Sequence, residues 1–153
     1  LPTAALVMLR GDIELGLGSV LWVFAVVCAT DTGAYVVGKT IGGPKLSSIS
    51  PNKTWSGLAG GAVLAGLAGA FVANWFAIGS ISLFGVYGVF CAFLGQGGDL
   101  FESWVKRHFQ TKDSGRLIPG HGGILDRVDG LVPVTVVAAV AVGVTRQGGT
   151  LWP

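Results

Sequence analysis

Three places in this sequence hold side chains able to do chemistry. The first is Asp31, which sits inside an apolar run and is followed by Thr32, Gly33, Ala34 and Tyr35. An unpaired carboxylate within a membrane span costs at least about 2.5 kcal/mol. Asp31 therefore marks either a polar cavity or an ion pair with a nearby lysine.

The second place is the run KTIGGPKLSSISPNKTWSG from Lys39 to Gly57, which is polar, glycine-rich and basic without an acid. Ser50-Pro51-Asn52-Lys53-Thr54 breaks the chain and then starts a helix. Lysines beside a helix N-terminus suit an anionic ligand such as phosphate. They equally suit an anchor against anionic lipid.

The third and densest place is GDLFESWVKRHFQTKDSGRLIPGHGGILDRVDG, from Gly98 to Gly130. Asp126 and Asp129 are three apart, so a helical turn would set both carboxylates on one face. Close carboxylates repel, and one tends to take up a proton, unless a cation lies between them. Mg²⁺ takes such hard oxygen ligands. Asp99 and Glu102 repeat the spacing at the end of the preceding apolar run. Lys106, Arg107, Lys112 and Arg116 read as residues of the same loop and offer donors to phosphate oxygens. Pro119-Gly120-His121-Gly122-Gly123 is a nearly side-chain-free turn. Within it His121 is a proton shuttle or, in better accord with phosphoryl chemistry, a hydrogen-bond donor to phosphate. His108 reads as an ordinary loop residue.

One match is set aside. Gly33 to Thr40 reads GAYVVGKT and fits the phosphate-loop pattern GxxxxGK[ST], but that loop needs a flexible turn after a strand. Here Ala34, Tyr35, Val36 and Val37 are apolar and belong to a span.

The elements that must position these groups follow from composition. Of 153 residues, 51% are hydrophobic and 12% charged, against about 25% charged in a soluble domain. Mean hydropathy is +0.68, so the solvent for most of the surface is lipid. A net charge of +2 gives no ground for a nucleic-acid partner. Cys28 and Cys91 lie in apolar runs without paired spacing and read as small core residues.

Between Lys53 and Asp99 lie 45 residues without a charge. As one helix they would span roughly 68 Å, against a hydrocarbon core of about 30 Å. The run must fold back, with helices near residues 55–78 and 81–98 and the turn at Gly79-Ser80. Both charged stretches then lie at one membrane face, cytoplasmic by the positive-inside bias. Further spans are expected near 17–38 and 130–145, the last with Pro133 in its first turn, and residues 1–10 as the end of an earlier span. Arg10 and Arg146 fall on the far side. The fold class is thus an all-α, polytopic transmembrane helix bundle of about four spans with two polar loops. Gly57, Gly61, Ala65, Gly69 and Ala73 put a small residue at every fourth position, a stripe along which helices pack closely. Residues 1–153 read as a single transmembrane catalytic domain. A start at Leu1 with no signal-peptide pattern suits a fragment that lacks earlier spans.

The run from Ser103 to Asp129, SWVKRHFQTKDSGRLIPGHGGILDRVD, resembles the signature of phosphatidate cytidylyltransferases (CDP-diacylglycerol synthases). DTGAY from Asp31, KLSSISPNKTWSG from Lys45 and GDLFES from Gly98 are similar to other motifs of that family. Together they cover about residues 20–145. The resemblance implies transfer of CMP from CTP to phosphatidate, giving CDP-diacylglycerol and pyrophosphate with Mg²⁺. It leaves open a second metal or a monovalent cation. By the same resemblance Asp126 and Asp129 hold metal with Asp99, and these three with Lys106 form the catalytic set. Lys106, Arg107 and Lys112 bind substrate phosphates, Asp31 lines the cavity, and Lys45, Ser50, Lys53, His121 and Arg127 complete the expected substrate contacts. CTP, phosphatidic acid and the bilayer are the implied partners, and a homodimer is compatible with the reading.

Two other readings compete. A CTP-dependent lipid-alcohol kinase shares the metal and nucleotide needs, but the full Ser103–Asp129 run disfavours it. A transporter or channel would use Asp31 and Asp99 as ion-pathway groups, yet the acids cluster at one face instead of spanning the depth.

Overall fold

The computed structural model describes residues 2–11, 16–47, 50, 52–108 and 132–138. Helix α1 covers Pro2–Arg10, α2 Gly16–Thr40, α3 Trp55–Phe76 and α4 Ile81–His108. Residues 132–138 are also helical. The described residues form no strand, and α2, α3 and α4 are each long and apolar enough to cross a membrane. The all-α transmembrane bundle read from the sequence is therefore present. Most of the expected fourth span lies outside the described residues.

The hairpin turn falls at the expected place. Ala77 ends α3 in the left-handed conformation with φ 50°, its N–H donating to the carbonyl of Ala73, and Gly79 follows at φ 146°. The second half of that hairpin differs from expectation. α4 does not stop at residue 98 but runs on to His108, carrying Asp99, Glu102, Lys106 and Arg107 on its last turns. Lys106 and Arg107 are thus helical and not loop residues, and His108 is no loop residue either, since its ring stacks on Trp104 at 5.6 Å. A Glu102–Lys106 ion pair at 2.9 Å and a basic last turn facing the negative helix end support this extension.

Backbone approach holds the three long helices together. A Cβ added at Gly61 would stand 2.8 Å from the Thr30 carbonyl oxygen of α2, and one at Gly57 2.7 Å from that of Ala34. Farther along, a Cβ at Gly69 would meet the Phe84 carbonyl oxygen of α4 at 2.7 Å. The small-residue stripe thus packs α3 against α2 at one end and α4 at the other. Partner numbers fall as α3 numbers rise in both pairs, so α3 is antiparallel to each neighbour. Trp22 locks the centre: its indole N–H donates to the Gly69 carbonyl at 3.1 Å, and its ring meets Phe84 edge-on at 5.5 Å. In lipid, where no water is displaced between helices, such packing and hydrogen bonding carry association.

Candidate active site

Antiparallel packing brings three chain segments to one end of the bundle: the second half of α2, the start of α3 and the second half of α4. The connection between α2 and α3 is shaped by turns. Thr40 donates back to Val36, Gly42 and Gly43 take positive φ, and the chain returns through an antiparallel bridge between Lys45 and Thr54. The N–H of Leu46 donates to the Lys53 carbonyl at 2.7 Å, that of Lys53 to Ser50 at 3.2 Å, and that of Trp55 to Pro44 at 3.1 Å. Ser56 also donates from its side chain to the Gly42 carbonyl. Thr54 then caps α3, its hydroxyl accepting from the Gly57 N–H at 3.1 Å. Lys53 is thereby held immediately before the cap.

A cleft of about 190 Å³ opens there. Asp31, Ala34 and Tyr35 line it from α2, Asn52, Lys53 and Thr54 from the connection, Gly57 and Leu58 from α3, and Gln96 and Asp99 from α4. The Lys53 ammonium donates to an Asp99 carboxylate oxygen at 2.5 Å, with both side chains about one-fifth exposed. Asp31, Lys53 and Asp99, singled out separately in the sequence, thus meet in one place. Lys45 is exposed in the bridged turn and Ser50 is half-buried with its carbonyl bound to Lys53, both outside the cleft lining. Lys106 pairs with Glu102 and, like Arg107, lies beyond the lining. Lys112, His121, Asp126, Arg127 and Asp129 lie outside the described residues. The phosphate-loop reading of Gly33–Thr40 ends here, because that stretch is the helical end of α2.

The cleft also holds Tyr35, Asn52 and Thr54, which lie in motifs the sequence singled out but were given no role there, and Gln96, which it did not flag. Gln96 had one usable signal, its place three residues before Asp99 on the same helical face. Carboxylates and an amide oxygen are the hard donors Mg²⁺ takes, so the donor chemistry fits that ion. Among the described residues no three acids, histidines or cysteines gather to hold a metal. The arrangement pairs an ammonium, suited to a phosphate oxygen, with carboxylates suited to a cation, at the rim of an apolar bundle.

The model of the cytidylyltransferase family matches residues 2–145. The chain is 52% identical over 129 residues to the phosphatidate cytidylyltransferase of Brucella suis biovar 1 (strain 1330), covering 84% of this chain and 48% of that protein. It is 39% identical over 119 residues to the enzyme of the same name from Helicobacter pylori (strain J99), covering 78% and 45%. Against that of Staphylococcus aureus (strain COL), identity is 49% over 118 residues, covering 74% and 45%. The chain spans about half the length of these relatives.

Proposed function

Because the chain belongs to the cytidylyltransferase family, we propose that it transfers CMP from CTP to phosphatidate, forming CDP-diacylglycerol and releasing pyrophosphate. The observation that carries this reading is the meeting of Asp31, Lys53 and Asp99 in one cleft at the end of a membrane bundle. A phosphatidate oxygen attacks the α-phosphorus of CTP, a new P–O bond forms, and the bond from the α-phosphorus to the bridging oxygen breaks. Both reactants are anions, so positioning and charge compensation dominate the barrier. Lys53 donates to a phosphate oxygen, and Lys106, Arg107, Lys112, Arg127 and His121 are the further donors that the family resemblance assigns to substrate phosphates. Asp99, Asp126 and Asp129 hold Mg²⁺, which when bound offsets the charge of the two anions. The acyl chains remain in lipid, and the positive-inside bias assigns the cleft to the cytoplasmic face.

The test is the purified chain in lipid nanodiscs with CTP, phosphatidate and Mg²⁺. Expected products are CMP joined to the lipid phosphate and one pyrophosphate per turnover. Release of CDP with a phosphorylated lipid would mark a kinase, and CTP left intact would sink the proposal.

A further inference from the structure

Gln96 stands apart among the buried polar side chains. Ser19, Thr30 and Thr135 all have partners, Thr30 through the Val26 carbonyl and Thr135 through that of Val132. Gln96 is only 6% exposed, yet among the described residues its amide makes no hydrogen bond. Its side chain lines the cleft beside Asp31, Lys53 and Asp99. Neither amide atom is sealed from solvent, so the amide opens into the cleft and can bond to what enters it.

The amide offers a donor and an acceptor together. A phosphate oxygen uses only the donor, and Lys53 already supplies a charged one. A cation uses only the acceptor, and Asp31 and Asp99 supply charged ones. The ester groups of a lipid only accept. What matches both halves of an amide is a neutral group that itself donates and accepts, and on a nucleotide that means the base edge or a ribose hydroxyl. Resting on the CMP-transfer reading, we propose that Gln96 is a substrate-contacting residue that binds the nucleoside portion of CTP.

Gln96→Leu keeps the bulk of the side chain and removes both hydrogen-bonding atoms. In the full chain it should raise the KM for CTP about five- to ten-fold, the worth of roughly one neutral hydrogen bond. The KM for phosphatidate should not move. The variant should also lose part of the preference for CTP over dCTP, if the ribose is the partner, or over UTP, if the base is. An unchanged KM for CTP, or a raised one with both preferences intact, overturns the proposal. Without substrates Gln96→Leu should unfold at the same temperature as the parent or higher; a lower midpoint reveals an internal partner and overturns it too. CTP-induced thermal stabilisation, reduced in the variant, reads the contact without turnover. A parent that binds CTP but makes no product therefore sinks the proposed reaction alone, and one that does not bind CTP sinks both.

Discussion

Lys53 and Asp99 are 46 residues apart in the chain and share one short ion pair. Partly buried, the pair falls between exposed pairs worth almost nothing and buried ones whose rupture costs about 3–5 kcal/mol. Lys53→Met should therefore destabilise by about 1–3 kcal/mol, because it takes the ammonium away from the partly buried Asp99 carboxylate. The double variant Lys53→Met/Asp99→Leu should recover part of that loss in thermal unfolding. If the two single losses simply add, the pair is not coupled. Asp99→Asn keeps the shape but not the charge and should lower turnover by about 10²-fold or more while the protein still inserts. Near-parental rates would remove Asp99 from the site. Both residues were legible in the sequence, because a charge is conspicuous and expensive in so apolar a chain. Gln96 was not, since a neutral amide in a span carries no comparable flag.

At the scale of elements, the stripe on α3 and the cap at its start set where the cleft residues stand. Gly61→Val would drive a side chain into the Thr30 carbonyl, which is backbone and cannot turn away. A loss of about 1–3 kcal/mol is expected, read as a lower unfolding midpoint in detergent. Thr54→Ala should cost about 1 kcal/mol through the lost cap, and Thr54→Ser should restore it; equal stability of the two would deny the cap. The stripe, the helix start after Ser50–Thr54 and the turn at Gly79-Ser80 could all be read from spacing and residue type. The length of α4 could not. Hydropathy marks where lipid ends, whereas the helix continues for ten residues past Gly98, supported by Glu102–Lys106 and its basic last turn. Lys106 and Arg107 were misplaced for that reason.

The described helices form a bundle with a charged cleft at one end. Single cysteines at Lys45 and Ser80, in a chain with Cys28 and Cys91 replaced by Ala, should react with an impermeant maleimide from opposite sides of a sealed vesicle. Labelling of both from one side would refute the three-helix threading. α4 has 28 residues, about 42 Å of helix against a hydrocarbon core of about 30 Å. Asp99 is its nineteenth residue, about 27 Å along, where acyl chains give way to headgroups. Exposed Phe101 and Trp104 lie just beyond, as aromatic side chains do at that depth. The rod is longer than the layer it crosses, so bilayer thickness itself becomes a control. Longer acyl chains would draw the acid toward oil and shorter ones would lift it toward water, tuning how readily soluble nucleotide and lipid phosphate reach the same carboxylate.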